Sequence, residues 1–373
     1  MNQSKRYDDL DALRGILMIL GIVLHSANIF SPNVWAIQNS ETSVSYQNLV
    51  DFIHAFRMPA FFIVSGFFLH YSFQRHGAKI IRNQRLPRIL IPLVVTAITL
   101  NSIQYSFLHA PSDLLTLQYW IAGKWASHLW FLNVLIYYFA FAYLCFHYIP
   151  KVLDYLSAPL LPLFRRYPSL IIFVMPLISL AALKISYLVP ESSSERYYFS
   201  IAEAIKYAPY FIFGLFIHGV SELRSRFLSL GLCLILMATW TGITVLEVFV
   251  DNRILDYLQD QYLSWGLSAA CFAFFHRFIT QSHTVFTNLS NASYSIYLFH
   301  HICVIAYGSM IIALDIPTFI KFLMVMTLTF MTTYLIHGQL VSKINMLSYL
   351  FNGKTIQRKE KCIEKDCATT PVQ

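Results

Sequence analysis

The sequence predicts an all-α integral membrane protein, with about ten transmembrane helices around an intramembrane cavity and both termini in the cytoplasm. Of its 373 residues 57% are hydrophobic and only 12% are charged, about half the charged share of soluble domains. A soluble fold of this size could not hide so much apolar surface from water. Disordered chains have the opposite composition, so disorder is excluded as well.

Apolar runs of about 20 residues, the length that crosses a bilayer as a helix, occur ten times. They cover residues 12–31, 51–74, 87–108, 127–148, 168–189, 202–220, 228–250, 258–278, 289–313 and 317–338. The sixth and eighth runs carry the weakest signal. The first run is not a cleaved signal sequence, because it is too long, contains Arg14 and His25, and precedes no small-residue cleavage site. These runs predict a polytopic membrane domain over residues 1–340 and a basic cytoplasmic tail over 341–373.

The distribution of lysine and arginine predicts the orientation. Nineteen of the 27 basic residues fall in the loops of one side and in the tail, whereas the loops of the other side hold Lys124, Arg196 and Arg253. Basic loops stay in the cytoplasm, so both termini are expected there. The net charge of +8 reflects this asymmetry, and no folded basic domain suggests a nucleic-acid partner. The basic loop 75–88 could contact anionic membrane lipid or a phosphorylated ligand.

Arg14 and His25 lie eleven residues apart in the first run. At 100° per residue this spacing places both side chains on one helix face, about 16 Å apart along the axis. Arg14 is therefore expected about one turn inside the cytoplasmic boundary, and His25 beyond the middle of the membrane. A snorkelling arginine and an unrelated packing histidine are the simpler interpretation, but ionisable groups at membrane depth are costly and usually functional.

The second and fourth runs enter from the outside and carry polar residues near that boundary. In DFIHAFRMPAFFIVSGFF, His54 and Arg57 share one helix face, and the proline that follows frees backbone carbonyls, which cavities often use. Ser65, beside a glycine, permits close helix packing. In SHLWFL, His128 and Trp130 fit an interfacial aromatic belt as well as a binding site. Arg57 could also simply snorkel outward.

The ninth run enters from the cytoplasm with SNASYSIYLFHH. Tyr294, Tyr297 and His301 are spaced to share a face, and His300 follows Tyr297 by three residues. A lone histidine at mid-membrane is more often packed than catalytic. Several imidazoles are nevertheless expected at one level between mid-membrane and the outer boundary, which is typical of proton chemistry. No intramembrane carboxylate accompanies them, so neither a carboxylate proton relay nor a metal site is predicted.

Four motifs, in order, resemble those of the membrane acyltransferase-3 family. LDALRGILMILGIVLH resembles the first-helix motif, an Arg and a His separated by ten residues, and FRMPAFFIVSGF resembles the second-helix motif. PYFIFGLF (209–216) and SYSIYLFH (293–300) resemble two later motifs. With the ten-helix topology, the resemblance covers nearly the whole chain. DFIHAFRM and SHLWFL are similar to a narrower group, the glucan biosynthesis protein C type, which acylates periplasmic glucans.

The resemblance implies an O-acyltransferase of the bacterial cytoplasmic (inner) membrane. It would move an acyl group, acetyl as first choice and succinyl as second, from cytoplasmic acyl-CoA to a hydroxyl of an extracytoplasmic glycan. Lipopolysaccharide O-antigen, a periplasmic glucan and an exopolysaccharide are the candidate acceptors. A polytopic transporter or flippase for a glycan or an anionic metabolite is the alternative, because helices with mid-membrane charges suit it too. The sequence carries no signal for an oligomeric state.

Under this resemblance each candidate residue has an expected role. Arg14 would bind a phosphate of acyl-CoA, together with Arg82, Arg85 and Arg88 of the basic loop. His25 would be the general base at the level of the thioester, although His54 and His300 are rival bases, and an acyl-histidine intermediate is an alternative to direct transfer. The other assignments are oxyanion stabilisation by Arg57, orientation by Tyr297, and substrate binding by His128, Trp130 and Ser65.

Overall fold

The computed structural model describes residues 7–149, 152–189, 200–279, 281 and 283–354, and over these residues it contains α-helices and no strand. The fifteen α-helices of this part of the chain are α1 (Asp8–Asn28), α2 (Val44–His76), α3 (Pro87–Ile98), α4 (Leu100–Leu108), α5 (Leu117–Ile121), α6 (Trp130–Tyr148), α7 (Val152–Arg166), α8 (Pro168–Ser186), α9 (Ile201–Gly219), α10 (Ser221–Phe227), α11 (Leu230–Glu247), α12 (Arg253–Phe278), α13 (Thr284–Ile311), α14 (Thr318–Ile336) and α15 (Asn345–Asn352). The predicted tail beyond residue 354, and the basic residues at 5, 6, 151 and 196, lie outside the described residues.

Eight segments of the described chain are long and apolar enough to cross a membrane, which confirms the predicted all-α membrane class. They are Asp8–Asn28, Val44–His76, Ile81–Leu108, Ser127–Tyr148, Pro168–Ser186, Leu230–Glu247, Thr284–Ile311 and Thr318–Val341. The sixth and eighth predicted runs are also helical, as α9 and α12, but they are not among the eight. Both helices begin with charged residues, including Glu203 and Lys206 in α9 and Asp256 and Asp260 in α12. Ten spans and cytoplasmic termini therefore stay predictions.

Helix α2 lies at the centre of the bundle, packed against α1, α9 and α12. Two glycines allow its close approach to α9. A Cβ on Gly66 of α2 would collide with the carbonyl oxygen of Phe211, and a Cβ on Gly214 of α9 would collide with that of Ile63. Small residues at such crossings let helix backbones approach closely in membranes. The second and third family-like motifs are thus packed directly against each other.

The first and fourth of these motifs form a second helix pair, α1 with α13. A Cβ on Gly15 of α1 would lie 3.3 Å from the backbone nitrogen of Ser290 in α13. Higher along the same two helices, His25 of α1 contacts His300 of α13. The contacts advance in the same direction along both chains, so the two helices run parallel. Helix α1 therefore presents one long face to α13.

The segment after α14 folds back onto the bundle over its described part. A π-helical turn, His337–Val341, is followed by α15, which packs against α3 and α13. Ser295 Oγ of α13 donates to Asn352 Oδ1 over 3.0 Å. Residues 341–354, which the sequence assigns to the start of a tail, therefore contact the membrane domain. The domain division at residue 340 stays a prediction.

Candidate active site

One stripe of α1, formed by Arg14, Met18, Gly21 and His25, faces the groups that make up the site. Arg14 and Met18 line a cavity toward the N-terminal end of the helix, the end for which the loop charges predict a cytoplasmic location. Gly21 lies against a buried arginine, and His25 lies within a cluster of histidines. Because positions i, i+4, i+7 and i+11 fall on one side of a helix, the predicted alignment of Arg14 with His25 is present in the structure.

Four imidazoles meet at the C-terminal end of this stripe. The ring centroid of His25 lies 5.3 Å from that of His300 and 4.8 Å from that of His301. His128, from the short turn before α6, stacks on His301 at 4.7 Å and lies 5.5 Å from His300. Trp35, in the loop after α1, stacks on His25 at 5.7 Å. Residues far apart in the chain thus form one histidine cluster, defined here as His25, His128, His300 and His301.

Several ring nitrogens of the histidine cluster have no hydrogen-bond partner within the described residues. They are Nδ1 of His25, Nε2 of His300 and both nitrogens of His128. The Nδ1–H of His300 donates to the Tyr297 carbonyl over 2.6 Å, which leaves Nε2 as the unprotonated nitrogen. Buried polar atoms in native proteins are nearly always paired, so unpaired nitrogens in a close cluster are available to a reacting group. No set of His, Cys, Asp and Glu side chains among the described residues is arranged to hold a metal ion.

Arg57 is a buried cation packed between α1 and the histidine cluster. Its Nε–H donates to the Leu17 carbonyl over 2.9 Å. Its Nη2 lies 2.6 Å from the point that a Cβ on Gly21 would occupy, and that point is 3.4 Å from His300 Nε2. The residue is 6% exposed, and no carboxylate of the described residues forms an ion pair with it. Burying an unpaired guanidinium is costly, so a negative charge that develops beside it is strongly favoured.

The cavity at the other end of the stripe has a volume of about 220 Å³. Arg14, Arg85, Arg88 and Lys354 form its cationic mouth. Beyond the mouth the walls are mainly apolar, and they include Met18, Phe61, Val64, Phe68, Leu69, Ile89, Phe131, Leu132, Leu135 and Phe139. A charged entrance above an apolar interior suits a ligand with anionic groups at one end and an extended chain at the other.

The side chains at the cationic mouth are held by neighbours from several helices. Arg14 forms an ion pair with Asp11 over 3.1 Å, and its Nη2 also donates to Ser290 Oγ over 3.0 Å. Arg85 donates to Ser72 of α2. The hydroxyl of Tyr294 donates to the Arg88 backbone carbonyl over 3.2 Å. The arginines are therefore positioned by the fold, while only one carboxylate forms an ion pair at this mouth within the described residues.

An aromatic layer separates the cavity from the histidine cluster. No histidine lines the cavity among the residues that the structure describes. The cavity reaches Phe61 and Phe131, and the ring of Phe131 meets Tyr297 edge-on at 6.1 Å. The Tyr297 hydroxyl donates to the His128 carbonyl over 2.8 Å. The space along α1 from Arg14 to the level of His25 is thus open over its first part and closed by a layer of aromatic rings.

Not all of the predicted site residues meet at these two places. The side chain of His54 is exposed, and no ring contact joins it to the histidine cluster within the described chain. Arg82 is exposed and donates to the Tyr143 hydroxyl over 3.4 Å, away from the cavity lining. Trp130 stacks on a tyrosine of α9 at 5.8 Å, outside the cluster. Ser65 lines the cavity, and its hydroxyl donates to the backbone one turn earlier.

The structure also adds residues for which the sequence analysis assigned no role. His301 Nδ1–H donates to Gln104 Oε1 of α4 over 2.7 Å, and Trp35 covers the His25 ring. Gln104 is a polar amide inside an apolar run, a signal that the sequence does contain. Trp35 lies in a loop, and Gly21 has no side chain, so only the tertiary contacts reveal their places in the site.

The fold and the site together define a membrane acyltransferase. The family model described as an acyltransferase domain matches residues 7–338, and the chain belongs to this acyltransferase-3 family. The match begins before α1 and ends after α14, so it includes the histidine cluster and the three arginines of the cationic mouth. Membership favours acyl transfer over the transporter or flippase that the residues alone left open.

Curated relatives extend over the same length. Glucans biosynthesis protein C of Escherichia coli strain K12 is 26% identical over 371 residues, with 94% of this chain and 95% of the relative covered. The protein of the same name from Escherichia coli O9:H4 strain HS matches with the same identity and coverage. No solved structure matches.

Gly21→Ala tests whether the contact between α1 and Arg57 is needed for activity. We expect the added methyl group to displace the guanidinium from the His300 side and to lower the rate of acyl transfer about tenfold or more, since loss of one positioned donor costs about 10²–10³-fold in other enzymes. Overpacking should also lower stability by about 1–3 kcal/mol. The measurement is acyl transfer by the folded variant, with its thermal unfolding recorded in parallel.

Gly242→Ala is the matched control for this variant. Gly242 is also within a long helix, and nothing lies within 4 Å of the Cβ that the substitution adds. The control should keep the wild-type rate and gain slightly in stability, because alanine is the better helix former. Equal transfer rates in the two variants would contradict a role for the Gly21–Arg57 contact.

Proposed function

We propose that this protein transfers an acyl group from cytoplasmic acyl-CoA to a hydroxyl of an extracytoplasmic glycan, in the bacterial inner membrane. The observation that supports this most is the stripe on α1, which joins a cationic cavity at one end to the buried histidine cluster at the other. The cavity suits the donor, and the cluster suits proton transfer. Family membership supports acyl transfer as the reaction.

The donor proposal depends on the cationic mouth. Acyl-CoA carries several phosphate groups at one end and a long pantetheine arm that ends in the thioester at the other. Arg14, Arg85 and Arg88 present planar guanidinium groups, which bind phosphate oxygens through paired hydrogen bonds. The pantetheine arm would lie along Met18 and the apolar walls of the cavity. Arg82 would contribute only long-range attraction, because its side chain points elsewhere.

The chemical step follows from the groups around His25. We assign His25 as the general base that removes the proton from the acceptor hydroxyl. The hydroxyl oxygen then attacks the thioester carbonyl carbon, and Arg57 stabilises the negative charge that develops on the carbonyl oxygen. As the intermediate collapses, the carbon–sulfur bond breaks and the protonated histidine returns its proton to the CoA thiolate. An acyl-histidine intermediate is the alternative sequence of events.

The thioester must pass the aromatic layer to meet His25. Rotation of the Phe131 ring away from Tyr297 would join the cavity to the histidine cluster. The Tyr297 hydroxyl, through its hydrogen bond to the His128 carbonyl, would keep His128 in place while the Phe131 ring moves. In the closed arrangement the layer keeps water and protons from crossing between the two sides.

We propose a periplasmic glucan as the acceptor, with the acyl group drawn from two candidates. The E. coli relatives are glucans biosynthesis proteins, which favours a periplasmic glucan as acceptor over lipopolysaccharide O-antigen. Acetyl is the first choice of acyl group and succinyl the second. His128 belongs to the histidine cluster, and Trp130, two residues later, stacks on a tyrosine of α9 outside it. Both would contact the glycan, whose rings bind well to aromatic faces. His54, which is exposed and lies outside the histidine cluster, would have no direct part in the chemical step.

Arg14→Ala should weaken binding of CoA, because it removes a guanidinium from the cationic mouth. We expect about a tenfold to hundredfold loss of affinity, the usual range for a hydrogen bond between charged groups. Arg14→Lys should lose less, since it keeps the charge without the planar fork. Isothermal titration of the purified protein with CoA gives both values. A folded Arg14→Ala variant with unchanged CoA affinity would remove Arg14 from the donor site.

His25→Gln tests the chemical step. Glutamine keeps hydrogen bonding and much of the volume of histidine but cannot accept a proton at neutral pH, so transfer should fall by about 10²–10⁴-fold while CoA affinity is retained. Single-turnover transfer from labelled acetyl-CoA or succinyl-CoA to a periplasmic glucan measures the step directly. His300→Gln, measured in the same way, addresses the rival base. Near wild-type transfer by His25→Gln would place the base elsewhere.

A further inference from the structure

Helix α15 places a lysine at the cationic mouth of the cavity. The helix ends at Gly353, which adopts a left-handed conformation with φ +59° and donates its N–H to the Tyr349 carbonyl over 2.9 Å. Glycine at such a helix end has no Cβ penalty and redirects the chain. The redirection takes Lys354 into the lining of the cavity, beside Arg14, Arg85 and Arg88.

The close packing of this turn fixes where the lysine lies. A Cβ on Gly353 would collide with the Cα of Arg88, so the turn touches the first residues of α3 directly. Asn352, the preceding residue, lines the same cavity and accepts a hydrogen bond from Ser295 of α13. The end of α15 is therefore attached to both sides of the cavity mouth. These contacts fix the position of Lys354 at the cationic mouth.

The charges around Lys354 indicate what it binds. Burial, followed by the neighbouring charges of Arg88, Arg14 and Arg85, lowers the pKa of Lys354. Asp11 is the carboxylate that moderates this repulsion. Four cations within one mouth repel one another, and a ligand with several phosphate oxygens would relieve that repulsion. A phosphate group beside Lys354 would also restore the pKa of the lysine toward its ordinary value.

We propose that segment 345–354 forms part of the donor site and that Lys354 binds a phosphate group of the donor. The family match ends at residue 338, so this contribution comes from beyond the matched domain. The inference rests on the proposed function, since it takes the donor to be acyl-CoA. A phosphate could also come from a lipid headgroup, so the test includes both sources.

The test is isothermal titration of CoA into the full-length protein and its Lys354→Ala variant. We expect CoA affinity to fall about tenfold or more, because one hydrogen bond between charged groups is lost. Lys343→Ala is the matched control. Lys343 is an exposed lysine eleven residues earlier that contacts Gln339 and does not line the cavity. Its removal changes the net charge equally and should leave CoA affinity unchanged.

A second variant tests position separately from charge. Gly353→Ala keeps Lys354 but forces the turn away from Arg88, so it should weaken CoA binding as well, while Gly242→Ala should not. Binding of the wild-type and Lys354→Ala proteins to vesicles with and without phosphatidylglycerol tests whether the phosphate comes from a lipid headgroup. Wild-type CoA affinity in Lys354→Ala, with or without a loss of lipid binding, would overturn the inference and leave the proposed function intact. A wild-type protein that does not bind CoA would overturn both.

Discussion

The site depends on the burial of one cation, Arg57, against a helix that has no side chain at the point of contact. Its Nε–H donates to the Leu17 carbonyl, and its Nη2 occupies the space that a side chain on Gly21 would fill. Because no carboxylate of the described residues neutralises it, the guanidinium favours any negative charge that forms beside His300. An acyltransferase needs such a charge only transiently, at the tetrahedral intermediate. In the proposed mechanism the arrangement would therefore stabilise the reaction's intermediate more than its ground state.

The remaining architecture brings groups to this cation from both ends of α1. In one helix pair, α2 with α9, Gly66 and Gly214 allow the two backbones to pack closely. Arg57 lies on α2 of this pair and is buried in the interior. The other, α1 with α13, runs parallel and places Arg14 near Ser290 and His25 near His300. The four family-like motifs are thus two pairs of contacting helices. Their glycines allow the approach, and their charged residues form the stripe between the cavity and the histidine cluster.

The sequence predicted those parts of the site that follow from helical periodicity. The all-α membrane class is confirmed, and Arg14 and His25 share a face because eleven residues make slightly more than three turns. Contacts between distant segments could not be predicted in this way. The loop that brings Trp35 over His25 and the turn at Gly353 that aims Lys354 have no periodic signal. His54 shows that a correct spacing does not ensure a shared contact. Its distance of three residues from Arg57 fits a shared helix face, but its side chain is exposed while Arg57 is buried.

The central claim is that donor and acceptor meet from opposite sides of one membrane domain. Purified protein in sealed proteoliposomes tests it most directly. Labelled acyl-CoA is added outside the vesicles, and a glucan is enclosed within them. Transfer is attributed only to protein molecules whose basic loops face outward. The account predicts labelled glucan inside the vesicles while the acyl-CoA remains outside, and no labelling when acceptor and donor are both outside. Transfer that requires donor and acceptor on the same side would contradict it.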